Sequence, residues 1–170
     1  PRMSSREESL AEYLAKFRGN QLSISLSSLD KDVANRLANF HAYIQFPKLS
    51  SIDKSVAREL AKHNGGLDLG GLTSIDKDAA HELAKHNGYL NLGGLTSIDK
   101  EVAHELAKYK DLPFLHGLTS INKNIAKELA ACKGRIILNG LTSIDRDVAK
   151  ELVKYKGTFL SLQSLKAIDA

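Results

Sequence analysis

Apolar positions along the chain follow two alternating rhythms. In "YLNLGGLTSI", Tyr89 to Ile98, Leu90 and Leu92 stand two apart around polar Asn91, and Leu95 and Ile98 follow. That alternation predicts a short half-buried strand and a turn. In "KEVAHELAKYK", Lys100 to Lys110, Val102, Ala103, Leu106 and Ala107 fall at i, i+1, i+4 and i+5, one face of a helix. Asp99 between the two segments is a good N-cap, because its carboxylate can accept from the free amides of the first helical turn. The same place is held by Asp30, Asp53, Asp76, Asn122 and Asp145. Gly65, Gly88, Gly134 and Gly157 follow the helices, where a left-handed residue is wanted; Asp111 is the exception.

The rhythms return every 23 residues: Thr73, Thr96, Thr119 and Thr142 keep that step, as do Leu72, Leu95, Leu118 and Leu141. Leu49 and Leu26 fall on the same grid. "SLAEYLAK" at Ser9 to Lys16 lies three periods before "DAAHELAK" at Asp78 to Lys85. At the far end "LSLQSLKAID" comes one residue late, with Ser164 on the grid and Leu165 after it. About seven units therefore fill residues 1–170 as a single domain, in the roughly 20–29-residue range of leucine-rich arrays.

On these residues the chain resembles the leucine-rich repeat family over its whole length, and the L-x-L strand followed by "LTSI" is similar to the family's short bacterial repeats. The resemblance implies an α/β fold: a right-handed solenoid, with a parallel sheet on the concave side and helices on the convex side. One departure stands out. Leucines 72, 95, 118 and 141 lie near the place of the asparagine in the family's L-x-x-L-x-L-x-x-N-x-L segment, so its asparagine ladder is not carried over. The opening helix, 5–18, reads as a polar cap, with Arg6 replacing the Ile of "LTSI". The chain stops at "AIDA", where Asp169 should cap a further helix, which reads as a cut through a longer array.

Composition, 42% hydrophobic and 26% charged with few prolines, fits a folded chain, and no apolar run is long enough to span a membrane. The single cysteine, Cys132, excludes an internal disulfide and does not assign a compartment.

Residues in the same register form columns. Positions fixed in every unit are explained by folding; those that vary are free to have been shaped by a partner. His63 and His86 share a column with Phe17, Phe40, Tyr109, Cys132 and Tyr155, which reads as packing near the helix end and not as a ligand set. The histidines of "HELAKH" are five apart where a zinc helix needs four, and no nucleophile elbow, cysteine pair or phosphate loop occurs. No catalytic residue, metal or cofactor is expected, and the chain reads as a non-enzyme.

Two surfaces remain. On the helices, Lys54, Arg58, Lys77, His81, Lys100, His104, Lys123, Lys127, Arg146 and Lys150 should form a basic ridge. An acidic strip from Glu59, Glu82, Glu105, Glu128 and Glu151 runs beside it, joined by Asp78, Glu101 and Asp147. A net charge of only +4 favours a solvated face of mixed charge, with a nucleic acid, another polyanion or a membrane surface as the alternative partner. On the strands, the residues beside the L-x-L grid should point outward: Tyr43, Gln45, Pro47; Gly66, Asp68, Gly70; Tyr89, Asn91, Gly93; Leu112, Phe114, His116; Arg135, Ile137, Asn139; Phe159, Ser161, Gln163. Tyr89, Phe114, Ile137 and Phe159 would form an apolar strip, with Leu112 beside it and a rim of Asn91, His116, Arg135 and Asn139. Aromatic anchors with a polar and arginine rim are what interface hot spots look like. The expected function is a non-catalytic scaffold that binds another protein through this face; a spacer or dimerising segment is the weaker reading.

Overall fold

The side chains of Asp30, Asp53, Asp76, Asp99, Asn122 and Asp145 each accept from the backbone amide three residues on, at 2.7–3.0 Å, and each opens a helix. A computed structural model describes residues 17–110 and 113–169. Within them lie α1 (Lys31–Ala38), α2 (Lys54–Leu60), α3 (Lys77–Leu83), α4 (Lys100–Leu106), α5 (Lys123–Ala130) and α6 (Arg146–Leu152). The strands are β1 (Gln21–Ser23), β2 (Tyr43–Gln45), β3 (Leu67–Asp68), β4 (Leu90–Asn91), β5 (Arg135–Ile137), β6 (Ser143–Asp145), β7 (Phe159–Ser161) and β8 (Ala167–Asp169). The expected cap helix falls almost wholly outside the described residues, as does Leu112.

This is a mixed α/β arrangement in which every strand pairing among the described residues is parallel. Ile44 pairs with Leu67 and Leu67 with Leu90, so neighbours in the sheet are neighbours one period apart in sequence. Consecutive helices pack side by side from α1 to α6. Between the two layers sit the leucines of the grid and the inner helix face: Leu67, Leu69, Leu72, Leu83, Leu92, Leu95 and Leu106 are all fully buried. Fully burying one such side chain contributes roughly 1.5–3 kcal/mol, so strands as short as Leu67–Asp68 and Leu90–Asn91 suffice.

The sheet is not continuous, against expectation. β1 to β4 form one sheet, β5 pairs with β7, and β6 pairs with β8. The break follows "LPFLHGL". Pro113 has no amide hydrogen to give, and the pairing there shrinks to a single bridge, Asn91 to Phe114. At the far end a pairing appears that periodicity did not predict: Ala167–Asp169 is a strand paired with Ser143–Asp145, which sets Asp169 beside Asp145, the N-cap of α6.

The glycine reading needs correction too. Among the described residues no glycine has positive φ, and the helices end on right-handed caps at Asn39, Ala61, Ala84, Ala107, Ala131 and Val153. What these glycines supply is room. A Cβ on Gly65 would lie 2.5 Å from the Ala42 carbonyl oxygen, and one on Gly88 2.7 Å from that of Gly65. The glycine before the grid leucine, in "LGGL" and in "LHGL", does the same: Gly94 lies against the Gly70 carbonyl and Gly117 against that of Gly93. Leu72, Leu95, Leu118 and Leu141 are buried, and in place of an asparagine ladder the next loop residues bond backbone to backbone, Thr73 to Ser50 at 3.1 Å and Thr119 to Thr96 at 3.3 Å.

Candidate partner-binding face

Outward positions on the strands carry the rings. Tyr43 leans across Gly66, whose missing side chain leaves the space its ring occupies. That lean brings Tyr43 within 5.6 Å, centroid to centroid, of Tyr89 two strands away. Tyr89 in turn meets Phe114 at 4.9 Å with the rings tilted by 41°. Tilted pairs at this separation add about 0.5–1.5 kcal/mol beyond burial, so the three rings make a fixed wall. Further along, the Arg135 guanidinium sits 5.5 Å from the centre of the Phe159 ring, a cation–π pair. Tyr89 is 40% and Phe159 46% exposed, while Phe114 and Ile137 are half-buried.

The predicted residues therefore divide into two groups: Tyr89, Asn91, Phe114 and His116 lie together on one side, and Arg135, Ile137, Asn139 and Phe159 on β5, β7 and the turn after β5. In the second group Asn139 accepts from the Ser161 hydroxyl at 2.7 Å and from the Gln163 amide at 3.1 Å, and donates to the Gln163 side chain at 3.2 Å. Ser161, expected outward, is buried beneath this set.

Beside the ring wall lies a feature that the candidate set left out. Asp68 Oδ1 accepts from the Gly70 amide at 2.8 Å and from Asn91 Nδ2 at 3.0 Å, while Oδ2 accepts from the Tyr43 hydroxyl at 3.1 Å. Burial, and after it the Asp68 charge, hold the Tyr43 hydroxyl protonated far above its usual range, so it stays a donor. Asn91 in turn accepts from the Gly93 amide at 2.8 Å, and the His116 ring fills the place of a side chain on Gly93. Together Gln45, Pro47, Asp68, Gly70, Asn91 and His116 line an open groove of about 330 Å³. Periodicity had put Tyr43, Gln45 and Asp68 on the outward face; what could have singled them out is glycine at position 66, between two tyrosines one unit to either side.

The helix surface closes on itself. Lys54 pairs with Asp78 at 3.1 Å, Arg58 with Glu82 at 3.0 Å, His81 with Glu105 at 2.8 Å and Lys123 with Asp147 at 3.5 Å, each on the next helix. Glu128 takes both Lys100, at 4.0 Å, and His104, at 2.8 Å; Lys150 meets Asp147 within its own helix at 3.2 Å. Lys77, Lys127 and Arg146 have no ion-pair partner among the described residues. Half of the acidic strip is not at the surface: Glu59, Glu82, Glu105 and Glu151 are buried between helices, while Glu128 is half-buried and Asp78, Glu101 and Asp147 are exposed. Hydrogen bonds from Lys85 and then Arg58 pull the Glu82 carboxyl down to about 2. Burial pushes Glu105 up, but Lys108 and His81 outweigh it and the net direction is down. A basic ridge that reads as continuous in sequence is thus largely compensated in space.

The histidine column is a packing column. His63 and His86 are buried and stacked, with centroids 6.4 Å apart and planes 3° from parallel. His63 Nε2 contacts the Ala42 carbonyl at 2.8 Å; the Tyr109 and Tyr155 hydroxyls donate to the Gly88 and Gly134 carbonyls from the same register. Cys132 is buried in that column. Burial lowers both histidine pKa values. Among the described residues no three His, Cys, Asp or Glu side chains are grouped to hold a metal, and no helix is long and apolar enough to cross a membrane.

No family model, no curated protein and no solved structure matches this chain.

Proposed function

We propose that the protein is a non-catalytic scaffold of the leucine-rich repeat type that binds another protein through its strand face. In this reading the units stack into a right-handed solenoid, strands concave and helices convex. Support for the stacking comes from the 23-residue step of the sequence recurring as parallel register, Leu67 to Leu90, and from the strong preference of parallel crossovers for the right-handed sense. The observation that carries the binding is the ring wall Tyr43, Tyr89 and Phe114, three aromatic side chains in contact with one another on the strand face and left partly open there. Rigid aromatic area with few torsions to freeze is what protein interfaces draw most energy from.

The alternative, an anionic polymer or membrane surface held by the helix ridge, loses support from the inter-helix pairing of most of its cations. The deciding experiment uses the purified chain as bait in a cell extract beside a Phe114→Ser, Ile137→Ser double variant. Proteins retained by the wild type and lost from the variant, at unchanged helical circular dichroism, are expected. Equal retention by both would remove the reading.

A further inference from the structure

We infer that the groove beside the ring wall is the seat of a basic side chain, an arginine in preference to a lysine, contributed by the protein partner. The inference rests on the strand-face reading above and names the partner's chemistry.

Asp68 is the reason. The glutamates buried on the helix side each have a cation within 4.0 Å: Glu59 has Lys62, Glu82 has Arg58 and Lys85, Glu105 has His81 and Lys108, Glu151 has Lys154. Asp68, half-buried on the opposite face, has no cation among the described residues and is held by three neutral donors. Those three occupy two sites on Oδ1 and one on Oδ2. An ionised carboxylate has about four acceptor sites, so one remains on Oδ2, in a groove already shaped to fix the carboxylate.

The surroundings select the cation. Gln45 lines the same groove, and its side-chain amide bonds to no described residue, so its carbonyl is a second acceptor. Gly70 keeps the groove open, since a Cβ there would lie 2.9 Å from Asp68 Oδ1 and 3.2 Å from Asn91 Nδ2. Two acceptors with the His116 ring in the same lining suit a planar guanidinium, which donates along fixed directions and stacks on rings, better than a compact ammonium. A net charge of +4 repels a basic partner in general; a fixed carboxylate on this face makes the contact local and directional. The partner segment would then place one arginine at Asp68 and an apolar or aromatic residue against Tyr89 and Phe114.

A displayed random heptapeptide library tests this, selected in parallel on the wild type, on Asp68→Asn and on Phe114→Ser, with helical circular dichroism recorded for each. Asparagine preserves the acceptor for Gly70 and Asn91 and removes the charge, but it also removes the acceptor for the Tyr43 hydroxyl; Tyr43→Phe, which loses that bond and keeps the charge, should retain the basic preference. Expected are wild-type binders carrying arginine at a fixed spacing from an apolar residue. For those peptides Asp68→Asn should lose about tenfold in affinity, and its own selected pool should show no basic preference. A wild-type pool without basic enrichment, or one whose affinity Asp68→Asn leaves unchanged, overturns the arginine seat. If in that case Phe114→Ser still abolishes peptide binding, the strand-face reading stands while this one falls; if Phe114→Ser changes nothing, both fall.

Discussion

The helix face and the strand face use the same 23-residue step in opposite ways. On the helices a cation in one unit meets a carboxylate in the next, Arg58 to Glu82 and His81 to Glu105, and the carboxylates sink between the helices. Charge there is consumed in stacking. On the strands the step brings rings and neutral amides into line, Tyr43 to Tyr89 to Phe114 and Asn91 to Asp68, and leaves the rings half-open and Asp68 without a cation among the described residues. The difference teaches that a row of like residues in sequence says little about charge in space. What matters is whether the neighbouring row can reach it.

The sharpest test of this division lies in the double glycine of the shared phrase. A Cβ on Gly94 would meet the backbone carbonyls of Gly70 and Leu72; one on Gly93 would meet the exposed His116 ring. Gly94→Ala should cost about 3 kcal/mol in urea unfolding, the upper range of overpacking, because backbone cannot step aside. Gly93→Ala should cost under about 1 kcal/mol, since a ring can swing away. Equal costs would mean the strand face is as tightly packed as the interior.

Next in size is the functional side. Phe114→Ser should weaken partner or peptide binding by about thirtyfold or more, the scale of a hot spot of about 2 kcal/mol, measured by calorimetry. Glu82→Gln, on the helix face, should leave that affinity unchanged. A binding loss from Glu82→Gln would break the separation of the two faces.

Acid should reveal the buried groups in sequence. His63 and His86 are held neutral by burial, below their ordinary 6.5. The unfolded chain takes up their protons first, so stability present above pH 6.5 falls as pH drops below it. Glu82 has its carboxyl lowered from 4.5 to about 2, so its contribution is present above pH 4.5 and is lost between there and about 2. His63→Phe with His86→Phe, residues the column already accepts at positions 17 and 40, should flatten the urea midpoint between pH 7 and 5 and keep the lower loss. A midpoint as pH-sensitive as the wild type's would show that other groups carry it.

The smallest effect is expected at an exposed pair. Lys54→Ala removes a contact to Asp78 whose side chains are 48% and 58% exposed. It should change stability by about 0.5 kcal/mol or less in a thermal melt, and less at high salt.

Much of the fold was legible. N-caps at Asp30, Asp53, Asp76, Asp99, Asn122 and Asp145 followed from one side-chain oxygen ahead of an apolar helix pattern, and the inward leucines from alternation. These are local properties, set within a few residues. Less of the candidate site could be read. Tyr89, Asn91, Phe114 and His116 were found from the row they occupy, but the reach of Tyr43 over Gly66 was not, because it depends on what a neighbouring unit lacks. The glycines after the helices were assigned to a left-handed turn and serve close approach instead, a demand set by the carbonyl of another unit. The strand at Ala167–Asp169 was missed for a similar reason: its partner at Ser143–Asp145 lies a full unit away.

By itself the sequence determined the period, the N-caps, the helices and which leucines face the interior, because hydrophobic spacing and capping act along the chain. Only the tertiary structure decided that the basic ridge is largely compensated, that the sheet breaks after Pro113, and that Asp68 stands in a groove with no cation among the described residues. Those outcomes depend on contacts about 23 residues apart, where the energy lies between side chains whose distances no single unit specifies.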